Sequence, residues 1–205
     1  FILQRKDAQQ AYPPGIAEQA KKRFSSYTPE QLKQLTEIIM FGIPGEKKQT
    51  IEQMREKLAA YRHIDHAALR QNLKLFLQAI CPVADELGIK MAIHPDDPPF
   101  DILGLPRIVS TADDLAFILS CVSNKSNGLC LGASEKNNLP EMIRQAGDRI
   151  HFVHLRNTRR DNEGNFYEAD HLDGDTDMYA VLKELLLIQQ QVNTPIPFRP
   201  DHGHQ

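Results

Sequence analysis

Hydrophobic positions follow two different patterns along the chain, and the change comes at Gly88. Before it, apolar residues recur every three or four positions among charged ones, which predicts helices at about 16–40, 50–61 and 66–87. Thr28-Pro29-Glu30-Gln31 has the capping-box spacing of a helix start. In the long helix the repeat predicts one buried stripe, formed by Leu69, Leu73, Phe76, Leu77, Ile80, Val83 and Ala84.

Beyond Gly88 short apolar runs alternate with amphipathic stretches. Interleaved strands and helices predict an α/β fold with parallel strands joined by helical crossovers. Two architectures fit this order, an open doubly wound sheet and a closed TIM (β/α)8-type barrel. The Gly-rich first turn of a nucleotide-binding open sheet is missing, so the barrel is favoured. The predicted strands lie at about 90–93, 128–131, 150–155 and 196–199, and the predicted helices at about 112–122, 138–146 and 175–190.

Length and composition predict one domain. With 205 residues, of which 41% are hydrophobic, the chain can bury a real core. We expect a helical insertion region at 1–64 and the C-terminal strands and helices of a barrel at 65–205, about four strand–helix units in all. The chain starts without Met inside an apolar run and stops directly after a histidine-rich segment. It is therefore expected to be part of a longer protein, carrying only the C-terminal part of the barrel.

The charge balance narrows the class of partner. With 24 basic and 27 acidic residues the net charge is -3, which predicts neither nucleic-acid binding nor association with an anionic membrane. No apolar run reaches the roughly 20 residues of a membrane helix, and no signal peptide is recognisable, so a cytoplasmic location is expected. Three cysteines without a Cys-x-x-Cys pair indicate reduced thiols. The sequence leaves room for a homo-oligomer.

Three predicted strands end in residues that can bind a metal ion. His94, His154 and Asp201 each lie at or just past the carboxyl end of a different strand, where barrel enzymes carry their chemistry. Two imidazoles and a carboxylate suit a borderline divalent ion such as Mn(II), Fe(II) or Zn(II). Taken singly, each histidine is more often a structural residue. Their shared placement favours a metal site.

Other polar residues around these strand ends have two interpretations each. His202 is a candidate general acid or base, or a loop histidine in solvent. Arg156 could bind a substrate carboxylate, or be a surface arginine. The pair Asp96 and Asp97 could hold His94 or form a turn, with the turn slightly favoured. The acidic surroundings of His171 could bind a cation, but a solvated loop is the safer interpretation.

Five motifs in the same order along the chain resemble the mannonate dehydratase family. They are His94-Pro95-Asp96-Asp97-Pro98-Pro99, Leu103-Gly104-Leu105-Pro106-Arg107-Ile108-Val109-Ser110-Thr111, His154-Leu155-Arg156, His171-Leu172-Asp173-Gly174-Asp175-Thr176-Asp177-Met178-Tyr179 and Arg199-Pro200-Asp201-His202-Gly203-His204-Gln205. The resemblance implies a TIM-type barrel similar to xylose isomerase. It also implies dehydration of D-mannonate to 2-keto-3-deoxy-D-gluconate in hexuronate breakdown, with Mn2+ or Fe2+.

The resemblance also implies roles for individual residues. The family binds its metal through two histidines, a cysteine and an aspartate, and the matching positions are His94, His154 and Asp201. His202 matches the histidine proposed as catalytic. The family's cysteine belongs to a Cys-Thr-Gly-Ser segment that this sequence lacks, because Leu131 is followed directly by Gly132. Cys130 lies earlier on the same strand, so the role is not transferred to it. A proposed catalytic tyrosine of the family lies beyond the last residue.

The sequence leaves two alternatives to dehydration open. A metal-dependent sugar isomerase on the same barrel would interconvert an aldose and a ketose without loss of water. A non-catalytic relative would bind a sugar acid or a metal ion and turn nothing over.

Overall fold

Helices precede a small parallel sheet along this chain. The computed structural model describes residues 1–6, 8–40, 49–132, 138–162 and 165–202. The helices are α1 Pro14–Ser26, α2 Pro29–Met40, α3 Ile51–Ala60, α4 His66–Glu86, α5 Ala112–Cys121, α6 Leu139–Ala146 and α7 Met178–Val192. The strands are β1 Leu129–Gly132, β2 Ile150–Leu155, β3 Thr158–Arg160, β4 Phe166–Glu168 and β5 Phe198–Pro200. Among the described helices, none is both long and apolar enough to cross a membrane.

The chain divides into two compact units. The first comprises residues 1–65 and 101–106 and contains α1 to α3. None of these three helices has a buried residue. Their starts are nevertheless well defined, because Thr28 and Gln31 exchange side-chain and backbone hydrogen bonds as the capping-box spacing predicts. Thr50 and Gln53 form a second capping box at the start of α3.

The second unit comprises residues 66–100 and 107–205 and contains the sheet. Strands β1, β2 and β5 pair in parallel in that order, so the predicted α/β fold with a parallel sheet is confirmed. Buried residues of helices α4 to α7 pack in one core with the apolar residues of β1 and β2. The core between them is built from fully buried apolar side chains, the largest being Leu77, Ile118, Leu129, Ile143 and Val153.

Helix caps explain where α5, α6 and α7 begin. Thr111 and Asp114 form a capping box at α5, and Asn138 accepts a hydrogen bond from Glu141 N at α6. Helix α7 starts three residues later than predicted, because Asp177 accepts a hydrogen bond from Ala180 N and thereby sets the first turn.

Two predictions of local structure were wrong in detail, and one element was missed. On α4 the buried stripe is Leu77, Cys81 and Ala84, whereas Phe76, Ile80 and Val83 face solvent because they lie about a third of a turn away. The strand predicted at 90–93 is reduced to one bridge between Ile93 and Leu129, continued by the hydrogen bonds of the Met91, Ile93 and Cys130 amides. The hairpin of β3 and β4 was not predicted, since its three-residue strands are too short to show alternation.

Candidate metal centre

Alternation along the sheet puts several polar side chains on one face. Cys130 pairs with Phe152, Gly132 pairs with His154, and His154 pairs with Arg199. Paired residues share a face, as do residues two apart on a strand. The opposite face carries Leu131, Val153 and Leu155, which pack into the core under the helices. The polar face is therefore free to form a site at the carboxyl ends of the strands.

His94 enters the site from the segment beside β1. Ile93 bridges Leu129, so the next residue of each segment, His94 and Cys130, reaches the same level. The ring of His94 lies 4.8 Å from that of His154, centroid to centroid, at an interplanar angle of 62°. Its Nε2 is 2.9 Å from Nδ1 of His154. Two nitrogens bound to one divalent ion at about 2.1 Å and a right angle would be about 3 Å apart, so the pair has the spacing of metal ligands.

Backbone contacts fix the orientation of His94. Its Nδ1 lies 2.8 Å from the carbonyl oxygen of Pro95, where it can donate a proton and leave Nε2 with a lone pair facing His154. Gly132 lets this segment approach β1 closely, because a Cβ at that position would lie 3.1 Å from Cγ of Pro95. Both contacts support His94 as a preformed ligand.

Cys130 completes a group of three donors that sequence reasoning did not assemble. A nitrogen of His94, a nitrogen of His154 and Sγ of Cys130 all lie within 4.8 Å of one another. The thiol is buried, and burial raises its pKa to about 11. In the absence of a cation it is therefore protonated. The residues 133–137 that follow β1, where the family's cysteine segment would begin, lie outside the described part of the chain.

Asp201 lies beside this group. Its amide donates to the carbonyl of Leu155, which continues the sheet register past β5. One carboxylate oxygen is 3.4 Å from Nδ1 of His154, and the other accepts a hydrogen bond from Arg199 at 2.9 Å. Burial lowers the pKa of His154 and outweighs the opposing effect of Asp201. A neutral imidazole is the form that binds a metal ion.

His202 is exposed to solvent. Its side chain is 57% exposed, and Nε2 is 3.6 Å from the Asp201 carboxylate. Its φ of 55° lies in the left-handed region, which turns the chain away from β5 immediately after Asp201. The residue is thus held next to the donors while remaining accessible from solvent.

Arg156 already has two carboxylate partners. Its Nε lies 2.9 and 3.1 Å from the two oxygens of Glu168, its Nη2 also pairs with Glu168, and its Nη1 donates to Asp97 at 2.7 Å. The hydrogen bonds to Glu168 and Asp97 raise the pKa of Arg156 above its usual range. Asp97 thus holds the segment after His94 rather than only forming a turn.

The other aspartate of that segment has a similar role. One oxygen of Asp96 accepts hydrogen bonds from the amides of Ile108 and Val109, at 2.8 and 2.7 Å, and its own amide donates to the Val109 carbonyl. The motif at 107–110 is therefore anchored to the residues that follow His94.

Buried Asn157 organises the loop around His171. Its Nδ2 donates to the carbonyls of His171 and Thr176, and its Oδ1 accepts from the amide of Thr176 at 2.9 Å. These contacts make the motif at 171–176 an ordered loop, in which Nε2 of His171 is buried without a hydrogen-bond partner among the described residues rather than exposed to solvent. Among the described residues, His171 belongs to no group of metal-ligating side chains.

Comparison with known proteins decides the family. The family model for D-mannonate dehydratase (UxuA) matches residues 5–205. The chain belongs to the mannonate dehydratase family. Two relatives named mannonate dehydratase, from Saccharophagus degradans and a Marinomonas species, are 43% and 44% identical over the whole of this chain. The chain spans about half of each relative's length, 54% and 56%.

A solved structure agrees with this assignment. The crystal structure of mannonate dehydratase from Streptococcus suis serotype 2 is similar to this chain with a TM-score of 0.68 and 36% sequence identity. The match covers 78% of this chain and 47% of that one. The resemblance drawn from the five motifs is thereby confirmed, whereas the roles of individual residues stay predictions.

Proposed function

We propose that this chain supplies the metal-binding part of a mannonate dehydratase, a hydro-lyase that converts D-mannonate to 2-keto-3-deoxy-D-gluconate and water. The observation that carries the proposal is the meeting of His94, Cys130 and His154 at the carboxyl edge of the sheet, with Asp201 beside them. Membership of the family supports the reaction. We further propose that the parallel sheet is part of a TIM-type barrel, as the resemblance implies.

The donors are of a type that suits a divalent transition metal. Imidazole nitrogen and thiolate sulfur favour ions such as Fe2+ and Zn2+, while a carboxylate also suits Mn2+. We propose His94, His154 and Asp201 as ligands, with Cys130 as a further donor, and Mn2+ or Fe2+ as the ion. When bound, the ion acts as a Lewis acid that stabilises negative charge on substrate oxygens.

Other residues of the chain are candidates for proton transfer and for binding the substrate carboxylate. Dehydration removes the proton at C2 of the substrate and the hydroxyl at C3, which leave together as water, and the resulting enol tautomerises to the 2-keto acid. His202 is proposed to carry a proton, since it is next to Asp201 and open to solvent. The proposal that Arg156 binds the substrate carboxylate has less support, because Glu168 and Asp97 already occupy its donors.

Product analysis tests the reaction. The full-length protein loaded with Mn2+ is expected to form a 2-keto-3-deoxy acid from D-mannonate. If it forms no such product, the proposed function is wrong. Conversion of an aldose to a ketose without loss of water would instead support the isomerase.

Metal substitution tests the ligands separately from activity. Co2+ bound to a thiolate gives a strong near-ultraviolet charge-transfer band. We expect this band in the unmodified protein and in Cys121→Ala, whose cysteine is buried away from the site, but not in Cys130→Ala. His94→Ala should abolish metal binding altogether. A band that survives in Cys130→Ala would exclude Cys130 as a ligand, and unchanged metal content in His94→Ala would put the site elsewhere.

A further inference from the structure

Arg156 connects three segments of the second unit through its guanidinium group. It lies on the chain directly after β2, two residues beyond His154. Glu168, at the end of β4, contacts its Nε and Nη2, and Asp97 contacts its Nη1. The Arg156 side chain is 17% exposed. The guanidinium thus joins the end of β2 to the hairpin and to the segment that follows His94.

The fork of the guanidinium is already filled. Glu168 presents both oxygens to one edge, which is the bidentate arrangement in which arginine binds a carboxylate most strongly. Asp97 accepts from the opposite terminal nitrogen. A substrate carboxylate could take the bidentate edge only by displacing Glu168, which would cost Glu168 its contact with Arg156.

A short stretch of backbone connects Asp97, the partner of Arg156, to the metal centre. Asp97 is three residues after His94, and the intervening Asp96 is fixed to the amides of Ile108 and Val109. The segment at 94–97 is therefore held at two successive residues. Asp96 is fixed to the 107–110 segment, and Asp97 is fixed to Arg156, which directly follows the strand that carries His154.

We propose that Arg156 is a positioning residue that keeps His94 opposite His154. Glu168 orients its guanidinium group, and Asp97 accepts a hydrogen bond from it. The inference rests on the metal centre of the proposed function. On this proposal Arg156 does not bind the substrate carboxylate. Its ion pair with Asp97 instead fixes the segment that carries the metal ligand His94.

Three variants and one control test this role. Arg156→Lys keeps the charge but loses the planar fork, and Glu168→Gln and Asp97→Asn keep the shape of each partner but lose its charge. Arg159→Lys is the matched control, because Arg159 lies on β3 of the same hairpin and pairs with the exposed Asp173. The affinity for Mn2+ is measured by calorimetry on the full chain, and circular dichroism checks that each variant is folded.

The expected result is a loss of Mn2+ affinity that does not depend on substrate. Residues that orient metal ligands typically change affinity by about 10- to 100-fold, and we expect about tenfold for Arg156→Lys and for Glu168→Gln, with Arg159→Lys unchanged. In an active enzyme kcat should fall in the same variants while KM for D-mannonate stays within about twofold. Glu168→Gln keeps the test valid if Arg156→Lys does not fold.

The opposite pattern would overturn the proposal. Unchanged Mn2+ affinity in all three variants, with a raised KM in Arg156→Lys alone, would make Arg156 a binder of the substrate carboxylate. A protein that binds Mn2+, loses affinity in the variants and yet dehydrates no mannonate would refute the proposed function and retain the positioning role.

Discussion

Replacing Gly128 by Ala is expected to destabilise the protein and disturb the metal centre together. A Cβ at this position would lie well under 3.0 Å from the His151 ring and 2.6 Å from the backbone oxygen of Arg149. The ring has little room to move, since His151 is buried and its Nδ1 donates to the Met91 carbonyl at 2.5 Å. Overpacking of this kind costs about 1–3 kcal/mol, and a broken hydrogen bond adds about 1 kcal/mol, so the free energy of unfolding should fall by about 2–4 kcal/mol.

Urea unfolding followed by far-ultraviolet circular dichroism measures this loss. Gly15→Ala is the control, because nothing lies within 4 Å of a Cβ at Gly15 and alanine favours the helix α1 in which it lies. Met91 lies on the segment that ends in His94, so Gly128→Ala should also weaken Mn2+ binding. A loss of stability below about 0.5 kcal/mol, similar to the effect of a neutral surface change, would refute the packing argument.

Three further predictions concern buried polar groups of the second unit. Burial lowers the pKa of His151, so the unfolded chain binds a proton more readily than the folded one. Stability should therefore fall as the pH drops below about 6.5, by at most about 1.4 kcal/mol per pH unit from this residue. In urea unfolding His151→Gln should reduce the slope and leave the part that comes from His154, whose pKa is also lowered by burial; an unchanged slope would contradict this. Asp114→Asn should cost about 1–2 kcal/mol in the same assay, because it breaks the ion pair with Arg70 while keeping the shape of the cap; an unchanged midpoint would contradict this. Asn157→Ala should expose the loop at 171–176 to limited proteolysis, since it removes three of the hydrogen bonds that hold the loop, and cleavage at the unmodified rate would show that the remaining contacts suffice.

Sequence patterning predicted those parts of the fold that depend on local signals. The strand at 150–155 has the predicted bounds, because it is a long apolar run between clear breaks. The predicted starts of α5 and α6, at about 112 and 138, lie within a residue of the observed Ala112 and Leu139. Which side of an amphipathic helix is buried depends on its neighbours instead. On α4 both Leu77 and Phe76 are apolar, and only packing against the sheet and α5 selects the former.

Chemical type and placement at strand ends were enough to bring His94 and His154 together, which the structure does at 2.9 Å. The partners of Arg156 could not be predicted in the same way. Glu168 belongs to a hairpin that left no trace in the sequence pattern, and Asp97 lies 59 residues away along the chain. An arginine near a site can bind substrate or orient its neighbours, and only the location of nearby carboxylates distinguishes the two.

Cys130 lies at the site because of alternation along β1 and of the register between β1 and β2. Leu129 and Leu131, on either side of it, are buried in the core, so the thiol faces the opposite side of the sheet. The register is irregular between Leu129 and Cys130, but from Cys130 onward the pairing is regular, with Leu131 opposite Val153 and Gly132 opposite His154. This pairing puts Cys130 on the same face as His154. A one-residue slip of β1 against β2 would separate the two residues and remove Cys130 from the site without altering any candidate ligand.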